Sequence, residues 1–251
     1  MNFIEPDWPA PANILALSTL RGGGASSAPY ASLNLADHVD DDSEAVAANR
    51  AILSQWLPPG ARVQWLEQVH GSQVVRADAA GTCPLADASW SRDSGQACAV
   101  MTADCLPVLF CSRAGDVVAA AHAGWRGLLE GVLENTVTAM GVAPADILAW
   151  LGPAIGPVAF EVGPEVRSAF LAAASREQVQ ATEASFVPSS HNRGRYLANL
   201  YTLARARLAG LQSANIFGGG YCTHSDSARF FSYRRDGQTG RMASLILIKS
   251  Q

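Results

Sequence analysis

Long apolar runs are missing from this sequence, and their absence removes the simplest membrane architectures. No stretch approaches the roughly 18 to 20 consecutive apolar residues of a membrane-spanning helix. The first twenty residues, MNFIEPDWPAPANILALSTL, carry acids and prolines but no basic residue, and their longest apolar run is ILAL. No secretory signal peptide is expected there. A basic excess is missing too: 18 Lys and Arg stand against 22 Asp and Glu, for a net charge of −4. Nucleic-acid partners, which need a basic face to neutralise phosphates, are therefore not expected, and a small soluble substrate fits better. Paired cysteines are the third absence. The five cysteines are odd in number, irregularly spaced and form no CxxC, which points to a reducing, cytoplasmic setting with thiols free or bound to metal. Linkers, low-complexity tracts and internal repeats are also lacking, so one domain over residues 1–251 is expected; oligomeric state is not legible.

What is present is an irregular mixture of strand and helix signals. Residues 14–20 read as a strand broken at Gly22, Gly23 and Gly24. Residues 43–57 read as a helix with Ser43 as its N-cap and Val46, Ile52, Leu53 and Trp56 on one face. The long polar loop between them, SSAPYASLNLADHVDDD, is of a length usually reserved for function or flexibility. Short strands are expected at 63–66 and 74–76. The run ACAVMTADCLPVLFC (97–111) has two apolar β-rich halves split at Thr102, Ala103, Asp104 and Cys105, and Pro107 argues against a continuous central ladder. A small-residue strand at 117–121 runs into His122, a glycine turn and a helix with Leu128, Leu129, Val132, Leu133 and Val137 as its buried stripe. Further elements are expected at 147–151 (strand), 164–174 and 197–211 (helices), 215–217 and 242–248 (strands). Without a regular βαβ beat, the fold class is α+β.

Few residues can carry chemistry. Of only five histidines, His70 and His122 sit with Cys105 at breaks beside predicted strand ends. Two imidazoles and one thiolate suit Zn²⁺ and leave its fourth position for water or substrate. Asp104 is read either as a loop carboxylate held by nearby N–H groups or as an orienter of a histidine or a general base. Arg21, Arg126 and Arg234 could hold an anion, and the gathering of Arg234, Arg235 and Arg241 suits a pocket for one anion. Trp125 and Phe231 read as core, with base stacking as the functional alternative. His38 and His191 read as surface residues. Cys98 and Cys111 read as buried thiols, whereas Cys83 and Cys222 stay open.

The segments TLRGGGASSAPYASLNLADHV, QVHG, TADCLPVLF, HAGWRG, LGPAIGP and FFSYRRDGQTGRMASLI resemble, in order, the signatures of the YfiH family, also called the laccase-domain or multicopper polyphenol oxidase family. The resemblance runs from about residue 15 to residue 248. It implies an α+β fold with a layered, mixed sheet core flanked by helices, of the αββα type, similar to deamidating toxins that use a Cys-His pair. It also implies zinc held by His70, Cys105 and His122, and an enzyme that phosphorolyses adenosine, inosine and methylthioadenosine and deaminates adenosine. The alternatives it carries are a copper polyphenol oxidase and a Cys-His amide hydrolase editing peptidoglycan precursors. In the thiol hydrolase, Cys105 is the nucleophile and His122 the base; in a deaminase, Asp104 would shuttle the proton. One departure is local: the family usually has glycine after HV, where this chain has Asp40. Five isolated histidines fall short of a mononuclear copper plus a trinuclear cluster, although copper can occupy a site of two histidines and one cysteine.

Overall fold

The computed structural model describes residues 3–78, 81–211 and 215–250. Strands β1 (Phe3–Ile4) and β2 (Ile14–Thr19) precede helix α1 (Ser43–Ser54). There follow β3 (Arg62–Gln64), β4 (Val74–Arg76), β5 (Ala88–Ser91), β6 (Gln96–Thr102), β7 (Leu106–Ser112) and β8 (Val118–Ala123). Helices α2 (Trp125–Glu130) and α3 (Val132–Met140) lead into β9 (Ile147–Leu151), then β10 (Glu161–Val162), α4 (Pro164–Ala173) and α5 (Val179–Ala184). The chain finishes through β11 (Phe186–Pro188), β12 (Tyr196–Ala198), α6 (Leu200–Ala209), β13 (Ile216–Gly218), α7 (Tyr233–Asp236) and β14 (Met242–Ile248).

Two mixed sheets form the centre. The first has the order β1-β2-β14-β6-β3 and the second β13-β9-β7-β8-β5-β4, with a small β10-β12-β11 sheet beside them. Side chains alternate across a strand, and that alternation assigns each residue to a layer. In β7, Leu109 and Cys111 meet Cys98, Val100 and Ile246 of the first sheet in the space between the sheets. Val108 and Phe110 face the other way, onto Leu128, Leu133, Val137, Leu203 and Leu208 of α2, α3 and α6. On the outer side of the first sheet, Ala97, Ala99 and Leu245 pack against Leu53 of α1. Strands covered on both faces need no polar alternation; β6, β7, β8 and β14 are buried along their whole lengths. The result is a helix, sheet, sheet, helix stack, the α+β class expected from the sequence. No helix among the described residues is long and apolar enough to cross a membrane.

Several local expectations are corrected. Asp42, not Ser43, caps α1, its carboxylate accepting the Glu44 N–H at 2.9 Å. The stripe from Leu128 to Val137 is two helices, because Gly131 at φ 92° ends α2 and starts α3; only glycine takes that conformation at little cost. The expected helix at 197–211 begins with the tail of strand β12, and Asn199 caps α6 by accepting the N–H groups of Tyr201 and Thr202. Pro107 does not interrupt β7. Its carbonyl accepts the Gly152 N–H at 2.9 Å, so the side of Pro107 that lacks a donor faces the very end of β9, whose paired register begins at Val108 opposite Leu151.

The long polar loop before α1 is packed rather than loose. Leu33, Asn34, Leu35 and Ala36 are buried, and Asn49 of α1 donates to the Ser32 and Asn34 carbonyls at 3.1 and 2.8 Å. At Asp40, where the family usually has glycine, φ is 64°. Aspartate is one of the few residues that tolerates this left-handed conformation.

Candidate active site

Strand register brings three separate turns to one point. Ala88 of β5 pairs with Ala121 of β8, so the preceding Asp87 lies opposite His122, and the His122 N–H donates to the Asp87 carbonyl at 2.7 Å. On the other flank of β8, Leu106 of β7 pairs with Ala123, which sets Cys105 beside Gly124. His70, on the turn between β3 and β4, takes φ 61°. The ligand atoms of His70, Cys105 and His122 lie within 4.8 Å of one another. Gly124 is a requirement of this closeness: a Cβ there would stand 3.1 Å from both the Cys105 Sγ and the His70 Cδ2.

Asp87 ties the cluster together, and nothing in the sequence singled it out. Its fully buried carboxylate accepts the backbone N–H groups of Val69, His70 and Gly71 at 3.2, 2.9 and 2.7 Å. One of its oxygens also lies 2.7 Å from His122 Nδ1. A single carboxylate therefore shapes the His70 turn and orients the His122 ring, leaving Nε2 of His122 for the cluster. Burial opposes ionisation of Asp87, but the hydrogen bond and charge of His122 and the N–H groups of Gly71 and Val69 outweigh it and hold the carboxyl below its ordinary range. The same balance applies to its neighbours. Burial disfavours a Cys105 thiolate and a His122 cation, yet each stabilises the other's charge, so the thiol is pulled down and the imidazole pushed up.

This balance predicts a labelling pattern for the metal-free chain. A thiol depressed in the folded state stays ionised as the pH falls below the ordinary value of about 8.5. Iodoacetamide at about pH 7 is therefore expected to label Cys105 rapidly. Cys222, pulled down by hydrogen bonds from Ser225, Gly156 and His224 against an opposing burial effect, is expected to label as well. Cys98 and Cys111, pushed up to about 12 by burial, are expected to stay unlabelled. Peptide mass spectrometry reads the pattern, and added Zn²⁺ is expected to protect Cys105 alone. A Cys105 rate that follows an ordinary thiol titration would sink the pairing with His122.

The cluster opens into a cleft of about 500 Å³ whose lining includes Trp125, Phe160, Tyr233, Arg126, Arg234 and Arg241. Arg126 stacks over its neighbour Trp125, with 4.5 Å from guanidinium carbon to ring centroid. Arg234 donates to the Glu161 carbonyl at 3.0 Å and lies 5.5 Å from the Phe160 ring centroid. His38 is exposed, as its surface reading had it, and it also lines this cleft, next to the buried residues 33–36 of its loop. Phe231 is fully buried, as its core reading anticipated.

Two expectations about charged residues change. Arg21 does not line the cleft: its guanidinium donates to the carbonyls of Ala31 and Ser227 and covers the Phe231 ring at 4.8 Å, so it anchors loops. Asp104, at φ 93°, lines the cleft, but both its carboxylate oxygens are engaged. One accepts the Thr223 hydroxyl and the other the Arg234 backbone N–H, each at 2.6 Å. With its lone pairs holding the walls in place, Asp104 reads as scaffold, and the histidine-orienting role sits with Asp87. Arg235 is likewise spent, on the carbonyls of Thr223, His224 and Phe230 and on Asp236.

The donor set fits a metal. Two imidazoles and a thiolate within one ligand span, the second nitrogen of His122 fixed by a carboxylate, and a glycine clearing the approach are features of a three-ligand zinc-type centre. These features define an α+β protein with a two-histidine, one-cysteine centre at the foot of a basic, aromatic cleft. The chain belongs to the family described as multi-copper polyphenol oxidoreductase laccase, which matches residues 15–249. It is 55% identical over 247 residues to a purine nucleoside phosphorylase of Pseudomonas aeruginosa, covering 98% of each chain. It is 52% identical over 245 residues to the purine nucleoside phosphorylase YfiH of Escherichia coli, covering 97% of this chain and 98% of the relative. Among solved structures it resembles a Neisseria meningitidis protein at TM-score 0.92 and 51% identity, with full coverage of both chains. YlmD from Geobacillus stearothermophilus matches at TM-score 0.89 and 32% identity, with 100% and 97% coverage.

Proposed function

We propose that the cleft phosphorolyses purine nucleosides, adenosine, inosine and methylthioadenosine among them, and deaminates adenosine at the same centre. The observation that carries this reading is the combination, in one cleft, of a three-ligand centre with aromatic walls and arginines that form no ion pair among the described residues. The names of the relatives agree with it. Trp125, Phe160 and Tyr233 offer faces on which a purine can stack, and the arginines offer donors for phosphate. In phosphorolysis a phosphate oxygen bonds to C1′ of the ribose, while the C1′–N9 bond breaks and its electron pair leaves with the base, which takes up a proton. Asp87 holds His122 at Nδ1 and so keeps its Nε2 directed at the ligand cluster. A divalent ion, zinc by donor set and copper by affinity order, would be held by His70, Cys105 and His122 and would supply Lewis-acid polarisation.

The test is to incubate the full chain with inosine or adenosine, with and without phosphate. Phosphate-dependent release of free base with ribose 1-phosphate is expected, and inosine from adenosine without phosphate would report deamination. If neither free base nor inosine forms, the proposal is overturned.

A second reading has its own observation: Cys105, His122 and Asp87 stand in the order nucleophile, base and orienter of a thiol hydrolase acting on amides, such as those of peptidoglycan precursors. Chelation separates the two, since it is expected to abolish nucleoside turnover and to leave or raise thiol-dependent amide cleavage. A multi-copper oxidase reading draws no support from the donors, because among the described residues a single three-residue group of this kind occurs.

A further inference from the structure

Of the arginines around the cleft, Arg241 is in an unusual electrostatic position. It is partly buried, and its guanidinium takes part in no ion pair among the described residues, whereas Arg235 has Asp236. Only one of its terminal nitrogens is occupied: Nη1 donates to the carbonyls of Thr239 and Gly240 at 2.6 and 3.1 Å. Those bonds fix the plane of the group, while Nε and Nη2 have no hydrogen-bond partner among the described residues. The backbone of Arg241 is equally fixed. Its N–H donates to the buried Asn34 side chain at 2.9 Å, and its carbonyl accepts the Leu35 N–H at 3.3 Å. Burial disfavours its charge, and the nearby Cys105 and Asp104 offset part of that cost.

A solvated arginine with free donors needs no explanation, which is the situation of the exposed Arg126 and Arg234. A half-buried guanidinium held in one plane, with Nε and Nη2 unpartnered yet not among the buried unpartnered atoms, presents two open donors to the cleft in the fork geometry that suits an anion. His38 lines the cleft within reach of the Arg241 charge, its Nδ1 3.6 Å from Asp37. We propose that Arg241 is the phosphate anchor of the cleft, presenting Nε and Nη2 to two oxygens of inorganic phosphate beside His38. The inference rests on the phosphorolysis reading for its ligand, and it adds a specificity-determining residue that the sequence grouped only loosely with Arg234 and Arg235.

The test compares Arg241→Gln and Arg241→Lys with the wild-type holoprotein. Loss of a charge-assisted bidentate contact is expected to raise the phosphate KM about 10- to 100-fold in Arg241→Gln and by less in Arg241→Lys. The nucleoside KM at saturating phosphate is expected to change less than about threefold in both. The lysine variant keeps a cation, so it provides the measurement if the glutamine variant fails to fold. An unchanged phosphate KM, or equal rises for phosphate and nucleoside, would overturn the assignment. Calorimetric titration with inorganic phosphate alone separates this result from the fate of the enzyme reading. Phosphate binding that is present in wild type and weakened in Arg241→Lys supports the anchor even if no phosphorolysis is found, whereas wild type that binds no phosphate overturns it. A nucleoside monophosphate titration completes the set: Arg241-dependent binding of the monophosphate without binding of free phosphate assigns the residue to the substrate's own phosphate and refutes the proposal.

Discussion

Cys105→Ala is expected to lose stoichiometric metal and to lower nucleoside turnover by about a thousandfold or more, while the far-ultraviolet spectrum and unfolding midpoint stay close to wild type. Removing one of three protein ligands leaves two imidazoles, too few for a stable zinc site. The fold has little stake in the thiol, which is partly buried in the turn just before β7. Metal analysis alongside the nucleoside assay checks the outcome. Turnover that survives in Cys105→Ala would remove the cluster from the reaction altogether. Loss of turnover in an enzyme that was active without metal would favour the thiol hydrolase.

Asp87 separates orientation from folding, because two substitutions remove different parts of its role. Asp87→Ala deletes a buried carboxylate that accepts three backbone N–H groups and faces His122. A loss of about 3 to 5 kcal/mol in unfolding free energy is expected, the cost of leaving buried partners uncompensated. Denaturant titration measures it. Asp87→Asn keeps the shape and one acceptor, but it no longer imposes Nδ1–H on His122, so Nε2 loses its fixed role toward the cluster. Metal affinity is expected to fall about 10- to 100-fold with a smaller stability loss, read by competition with a chromophoric chelator. Wild-type affinity in Asp87→Asn would show that the His122 ring is oriented by packing instead. The sign of the pH effect follows from the depressed carboxyl. Its stabilisation is present above the unfolded pKa of about 4 and is lost as the pH falls through the lowered folded value, so acid sensitivity below pH 4 is expected to diminish in Asp87→Asn.

The reach of the sequence differs between these residues for physical reasons. His70, Cys105 and His122 stand in turns whose small residues and glycines mark strand ends, so residue type and local context suffice to nominate them. The strands were legible where β-rich apolar runs are long, as in 97–111 and 242–248. Boundaries failed where one residue decides them: the cap at Asp42, the break at Gly131 and the continuity of β7 through Pro107 all depend on where neighbouring hydrogen bonds end. Asp87 carries no local signal, since its importance comes from lying opposite His122, 35 positions away. Asp104 shows the converse. Its proximity to Cys105 in sequence suggested chemistry, yet its carboxylate is consumed by Thr223 and Arg234, more than a hundred residues distant.

The order of strand and helix signals by itself determined the α+β class, and residue type with local context nominated one sparse metal-type donor set, because those properties depend on which residues are present and on their immediate neighbours. Tertiary structure alone decided which charges remain available. Arg21, Arg235 and Asp104 are spent on the scaffold, while Arg241 and His38 are turned into the cleft. The reason is that a guanidinium or carboxylate has few donors or acceptors, and whether they meet a backbone carbonyl, a side chain or open space is fixed by strand register and loop packing over distances that no local sequence pattern records.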